Sequence, residues 1–563
     1  MTQPVPDHGI APFPLPRPID VRPILWPRPF DPVVIRFLRE CTPRILVVTD
    51  GLRFGAASGF GLSQFVNTVK TTSIHGMLPS VITASRGTDP DADLQNFTFD
   101  STVTTAKYDV VFLFGIGTAS AGVPGQMGNL PKAEVDVLAR FMQAGGGLFA
   151  TGDHEDLGAA LSGNLPRVRG MRHWYFPPAP PVGSSKRITT NAPGQNGVFE
   201  FEDQSDAVPQ RTFPRYYASS ASPAVSAPHA LLQAPPVPGT SALYQPIEFL
   251  PDHPHEGECV VPANLEGTFD LGGTPVEEWP REAGSPARLA PEVIAFGVTY
   301  GGAFPGKSAI PDPRAFGVVG AYDGHRAGVG RAAVDSTWHH FVNINIDGTG
   351  SARSGLQEPD PANPGQLRDT QELLLIRRYW TNLASWLMPA KVRKCSIFGW
   401  LLQLAGGSRL VEDLQGWANP ARRKDFRALQ DLGGAATALM SVGSTPAEVS
   451  EALDDLTDLA FGGDARRHLS GTPGDELAGC LEASAAGEFQ RSLVAASLVA
   501  LHDLTTPGKG VVEAIEARGG LHALPELIAA PAREGGARAL VDLRRRAREA
   551  EKAMAGLEKL HRR

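Results

Sequence analysis

The run Gly145-Gly-Gly-Leu-Phe-Ala-Thr-Gly-Asp-His-Glu155 constrains the fold more than any other stretch of the chain. Before it, Lys132 to Ala144 places Val135, Leu138, Ala139, Phe141 and Met142 at helical spacing. Glycine then ends the helix, because it accepts the positive φ that a helix C-terminus asks for. Leu148 to Thr151 are short and apolar, as a central parallel strand buried on both faces must be. Gly152 permits a tight turn, so Asp153, His154 and Glu155 are predicted just past the carboxyl end of that strand. In open α/β sheets that edge is where ligands bind.

The flanking segments repeat the rhythm. Strands are predicted at Arg44–Thr49, Ser80–Thr83 and Lys107–Phe114, with a helix over Ser63–Thr71 entered through the glycine-rich run Gly55–Gly61. Strand, helix, strand, strand, helix, strand implies a flavodoxin-like, doubly wound parallel sheet with right-handed crossovers. Pro166 to about Ala290 breaks the pattern and reads as a long irregular insert, with short strands near Gly197–Phe201 and Ala242–Tyr244. Strands resume at Glu292–Thr299, Ala315–Ala321 and Gly330–Thr337, the last after a turn at Tyr322–Arg326, and Gln371–Leu387 is helical. From Lys391 onward Ala, Leu, Glu, Arg and Asp dominate. Helices are predicted at Ser396–Ala405, Pro420–Met440, Pro446–Ala460, Gly487–Leu504, Val511–Arg518 and Gly536–Leu560. The division is a proline-rich arm and short helix (1–40), an α/β domain (41–390) carrying the insert 166–290, and an all-α domain (391–563).

At 563 residues, two or three domains are expected. The net charge of −8, with no basic stripe before the last helix, argues against a nucleic-acid partner. On that helix, Arg544, Arg545, Arg546, Arg548 and Lys552 read as a solvated face. No apolar run approaches the ~20 residues of a membrane span, and no signal peptide is visible. Cys41, Cys259, Cys395 and Cys480 are scattered without CxxC spacing, so neither a disulfide framework nor a cysteine zinc site is expected. These features point to a soluble cytoplasmic protein. Gly115-Ile-Gly117 opens no helix with a GxGxxG pattern, so no nucleotide cofactor is expected. The helical domain offers a surface for a protein partner or for self-association.

Three clusters carry groups able to do chemistry: Asp153-His154-Glu155, Asp252-His253-Pro-His255-Glu256-Gly-Glu258 in the insert, and Trp338-His339-His340 after Asp335. Neutral imidazole with carboxylate is a ligand set for zinc, manganese or iron(II). His253 and His255 fall on one side of an extended segment. Two of the clusters lie at predicted carboxyl ends of strands, so the fold itself would bring them together. The metal ligands are then drawn from His154, His253, His255, Glu256, His339 and His340. Asp153, Glu155 and Glu258 are the acid–base candidates, and Asp50, Arg172 and Trp338 the substrate contacts. The structural alternatives are an Asp153 that only caps a helix and histidines that only fill a core.

The strand order, the Gly-Gly-Gly-Leu-Phe-Ala-Thr-Gly elbow and the late Gly-Val-Gly-Arg-Ala-Ala-Val-Asp-Ser-Thr-Trp-His-His segment resemble the class I glutamine amidotransferase-like superfamily. Within it the trehalose-utilisation (ThuA-like) branch is nearest. The resemblance spans roughly residues 42–160 and 290–345. It implies a flavodoxin-type sheet, a late histidine corresponding to His339 or His340, and a carbohydrate or small polar amide as substrate. Amidotransferases of this class carry a nucleophilic cysteine at the elbow, where this chain has Asp153 and His154. Glutamine hydrolysis through a thioester is therefore not expected, and Cys259 in the insert is not expected to replace that nucleophile. A metal-dependent hydrolase-like enzyme is the leading expectation, with a non-catalytic binding module as the alternative.

Overall fold

The computed structural model describes residues 30–116, 130–153, 157–174, 210–219, 222–237, 240, 242–251, 258–282, 284–299, 314–350, 355–406, 414, 425–441, 444–462, 476–505 and 510–561. Its centre is an eight-stranded sheet. The strands are β1 (Arg44–Thr49), β2 (Ser80–Ser85), β3 (Val110–Gly115), β4 (Gly147–Gly152), β5 (Phe213–Pro214), β6 (Glu292–Thr299), β7 (Arg314–Tyr322) and β8 (Ala332–Asp335). Their order across the sheet is β2-β1-β3-β4-β8-β7-β6-β5. The first five in that order run parallel. The last three alternate in direction, so the sheet is mixed. This corrects the all-parallel expectation. β7 turns straight back into β8 through the 3-10 turn Gly324–Ala327, and without a crossover helix two strands so joined run antiparallel.

Both faces of the parallel half are covered, and the alternation of side chains shows it. Ile45 and Val47 of β1 enter one core with Val110, Phe112 and Phe114 of β3 and Phe149 of β4. Leu46 and Val48 enter the other with Val111, Leu113, Leu148 and Ala150. A short helix α1 (Pro32–Phe37) precedes the sheet, α2 (Ser63–Thr71) and α3 (Lys132–Gln143) belong to its parallel half, and α4 (Gln371–Trp386) follows it. α2 and α4 cover the first face and α3 the second.

The central helix–strand–turn unit forms for the reasons its sequence suggests. Gly145 has φ +93°, and its N–H donates to the Met142 carbonyl while that of Gly146 donates to Phe141. These are the two closing bonds of a Schellman cap. At the far end of β4, Gly152 has no room for a side chain, because the Leu157 carbonyl occupies the place of a Cβ.

The insert contributes two-stranded ribbons, among them Tyr216–Ser219 with Ser222–Pro228 and Thr268–Leu271 with Thr274–Glu277. The expected strand at Ala242–Tyr244 is found instead at Gln245–Pro246, and residues 197–201 lie outside the described residues. Beyond Pro389 the described residues form α5 (Ala390–Gly406), α6 (Phe426–Met440), α7 (Pro446–Phe461), α8 (Glu476–Asp503), α9 (Val511–Glu516) and α10 (Leu524–His561). α7 starts at a capping box between Thr445 and Glu448. On α10, Arg545 pairs with Glu549 at 3.0 Å and Arg546 with Asp542 at 2.9 Å, charges exchanged along an exposed face.

Val34 of α1 and nearby Phe30, Leu38 and Cys41 pack into the apolar cluster of α5 to α10, not against the sheet. A Cys41–Cys395 disulfide fastens this contact, a pairing that the scattered cysteines gave no reason to expect. The two positions are 354 residues apart with Cα atoms 6.0 Å apart, so spacing along the chain holds no trace of the pairing. Among the described residues no helix is long and apolar enough to cross a membrane.

Candidate functional site

Parallel register sets the ends of four strands side by side. Thr49 pairs with Phe114, Phe114 with Thr151, and Ala150 with Val334. Asp50, Asp153 and Asp335 therefore leave or end their strands within a few residues of one level. The Thr151 hydroxyl donates to the Asp335 carbonyl at 3.1 Å, tying β4 to β8 at this edge. Arg172 adds a second tie. Its guanidinium donates to the Ser336 carbonyl at 2.5 Å, to the Leu157 carbonyl at 3.0 Å and to that of Gly152, and it lies 4.5 Å from the Trp174 ring. Arg172 is wholly buried, so it braces the two strand ends instead of standing open as a clamp.

The polar centre of the edge is Asp335. His340 Nδ1 lies 2.8 Å from Asp335 Oδ1, and the Tyr379 hydroxyl donates to Asp335 Oδ2 at 2.7 Å. All three side chains are fully buried. Burial first, and the neighbouring Asp335 charge second, push the Tyr379 phenol well above its ordinary range, which keeps it a donor. The backbone N–H of Thr337 also donates to Asp335 Oδ1, at 3.2 Å, and the Thr337 hydroxyl caps the turn Trp338–His340 by accepting from His339 N at 2.9 Å. Phe341 anchors that turn, with its ring 5.2–5.4 Å from those of Phe65, Phe114 and Phe149. The Trp380 indole donates to the His340 carbonyl at 3.0 Å.

His339 faces another way. It stacks on Trp338 at 4.4 Å, and its Nδ1 is 3.0 Å from Asn345 Oδ1. Trp338 is buried but meets the edge of Phe60, which is 44% exposed, so this aromatic pair links the buried edge to the surface. On the other flank, Asp50 is 1% exposed and accepts from Ile116 N at 2.9 Å. Burial pushes its carboxyl up to about 7, against the pull of that N–H and of Arg86. A buried carboxyl poised near neutrality is a group able to exchange a proton.

The insert reaches the same region. Cys259 bridges Arg172 and Gly317 through its backbone, and its thiol donates to the Val318 carbonyl at 3.2 Å. Burial, then Asp335, raise the thiol well above its usual range, so it is a protonated core group and not an activated nucleophile. Next to it, Glu258 accepts from His173 N through its carbonyl at 3.0 Å, and its carboxylate is 3.7 Å from His173 Nδ1.

Of the residues singled out in the sequence, Asp50, Asp153, Arg172, Trp338, His339 and His340 gather at the ends of β1, β4 and β8, with Glu258 beside Arg172. His154, Glu155, His253, His255 and Glu256 lie outside the described residues. Among the described residues no group of three or more His, Cys, Asp or Glu is arranged to hold a metal ion. Sequence reading missed Tyr379 and Asn345, and passed over Asp335 as a mere neighbour of the histidines. Tyr379 left one clue: a phenol on the apolar face of α4 must find a polar partner inside.

The chain is thus an α/β protein with a buried acid–imidazole–phenol cluster at the carboxyl edge of its parallel strands, joined to a helical region. No protein-family model matches it, and no curated protein does.

Proposed function

We propose that the carboxyl edge is a hydrolytic site for a small polar substrate, a carbohydrate or an amide. The order β2-β1-β3-β4-β8 of the parallel strands supports a flavodoxin-type reading, and in open α/β sheets ligands bind at this edge. This agrees with the resemblance to the ThuA-like branch of the amidotransferase-like superfamily. The observation that carries the reading is the 2.8 Å His340–Asp335 contact beside the β4 elbow. Asp335 orients the imidazole, and Tyr379 steadies Asp335. Asp153 and Glu258 supply acid–base groups, Glu155 being a further candidate, and Asp50 holds a proton near neutrality.

A divalent metal (zinc, manganese or iron) belongs to this reading only through His154, His253, His255 or Glu256, because the described residues alone do not complete a ligand set. Bound there, it would supply an acidified water and polarise a carbonyl. The test is metal analysis of the purified chain together with hydrolysis assays on nitrophenyl glycosides and amides, for the parent, His154→Ala and His340→Ala. Bound metal and turnover that falls about 100-fold or more in His340→Ala support the proposal. No turnover of any probe, or turnover indifferent to both substitutions, ends it.

The second reading is a non-catalytic module with the helical region recruiting a partner or a second copy. The complete burial of Asp335, His340 and Tyr379 favours it, since a structural polar cluster is sealed in the same way. A cytoplasmic location is the expectation under both readings. The Cys41–Cys395 bond opposes it, because disulfides seldom persist in a reducing cytosol. Mass spectrometry of alkylated protein from its own cells decides, an intact bond moving the protein to an oxidising compartment.

A further inference from the structure

The helical region is joined to the sheet in two ways. At the amino edge of the sheet the junction rests on fixed charge. Arg331, just before β8, donates to Asp323 at 2.7 Å and pairs with Glu451 of α7 at 2.7 Å. Arg393 of α5 pairs with the same Glu451 and with Asp455 Oδ1 at 3.5 Å. The second tie is the segment 30–41, which leads into β1 and lies on α5 and α9. It is built as a strap with a fixing at each end.

The first fixing is a knob in a notch. The Phe30 ring is 4% exposed and fills the place that a Cβ would take on Gly76 and on Gly399. It is therefore wedged between the Ile74–Met77 turn of the α/β region and α5, and its N–H donates to the Gly76 carbonyl at 2.9 Å. The second fixing is the Cys41–Cys395 bond, which ties the strap's other end to α5. Between the two, α1 has six residues, far fewer than the ~12–15 a helix needs to persist alone in water. Its bonds from Ile35 N to the Asp31 carbonyl at 2.8 Å and from Leu38 N to the Val34 carbonyl at 2.9 Å therefore last only while Val34 and Leu38 stay buried on the helical region. The two sulfurs differ in access: Cys41 is 5% exposed, whereas Cys395 is half-buried, so an attacking thiolate reaches Cys395 first.

We propose that segment 30–41 is a redox-released strap. A dithiol reductant opens the Cys41–Cys395 bond in the folded chain and frees the strap from α5, while the ion pairs at α7 keep the helical region on the sheet. One thiolate of the reductant attacks Cys395 Sγ, and Cys41 Sγ leaves with the bonding electron pair and takes up a proton. The reductant's second thiol then displaces Cys395 and gives up its own proton to it. Two thiols form on the chain, and the reductant ends as a disulfide. The strap is separate from the carboxyl edge and stands whether or not that edge is catalytic.

The test is hydrogen exchange and limited trypsin digestion of the full chain, oxidised and after dithiothreitol, with the thiols counted by alkylation. Reduction should speed exchange of the Phe30, Ile35, Leu38 and Cys41 amides about tenfold or more. It should also open cleavage after Arg36 and Arg39, both exposed on the strap, while the amides of β1 to β4 and of α7 stay protected. Reoxidation with glutathione disulfide should slow the strap amides again. A Cys41→Ser, Cys395→Ser double variant should exchange fast at the strap with or without dithiothreitol. A bond that resists dithiothreitol in the folded chain, strap amides as slow after reduction as before, strap amides that stay fast after reoxidation, loss of protection throughout the sheet, or a double variant that does not fold overturns the proposal.

Discussion

The two edges of one sheet treat their carboxylates in opposite ways. At the carboxyl edge Asp50 is sealed behind β1, where the Ile116 N–H and the Arg86 charge do not offset burial, which lifts it to about 7. At the amino edge burial also pushes Glu451 upward, but Arg331 and Arg393 outweigh it and hold the group at about 2. Asp455, one turn further along α7, shares one of those guanidinium groups at 3.5 Å and rises to about 6. Ionisation here follows the number of close cations more than depth. The difference separates a carboxyl governed by burial from a junction governed by paired charge.

The largest expected effect tests Asp50. Its folded carboxyl keeps a proton between pH 4 and 7, where the unfolded one loses it. That contribution to stability is therefore full below about pH 4 and is lost as pH rises to about 7, by up to about 4 kcal/mol. Asp50→Asn keeps an acceptor for Ile116 and should flatten this part of the stability–pH curve in urea titrations. Parallel curves for parent and variant would erase the contrast. Next, Glu451→Ala removes the carboxylate shared by two buried guanidinium groups, leaving each with one, and should cost about 3 kcal/mol at neutral pH, read by the same titration. A cost near zero would mean that the junction does not depend on fixed charge.

Tyr379→Phe removes one hydrogen bond to Asp335 and should cost about 1–2 kcal/mol, with the fold intact by circular dichroism. The smallest effect belongs to Arg326→Ala. It breaks the exposed pair with Glu282 at the rim of that junction and should change stability by less than about 0.5 kcal/mol. A large loss there would show that the rim is as strongly coupled as the buried pairs.

Much of the parallel half was legible because its signals are local. The α3 helix, its glycine stop and the β4 strand follow from spacing within a single window, and β1 and α2 were read to the residue. The carboxyl-edge positions of Asp50 and of the 338–340 turn followed from strand ends alone. The antiparallel run of β5 to β7 did not, since strand direction depends on how a connection packs and not on the strand's own pattern.

What the amino-acid order determined by itself was most of the central strands and the helices that cover them; in the helical region it found α8 and α10 but started them at Gly487 and Gly536, whereas they begin at Glu476 and Leu524. Only tertiary structure decided which polar groups meet. Asp335 and Tyr379 are 44 positions apart, Arg331 and Glu451 further still, and Cys41 and Cys395 354 apart. Periodicity reports a residue's own surroundings along its helix or strand, whereas a partner's identity is set by packing between elements, which no local window contains.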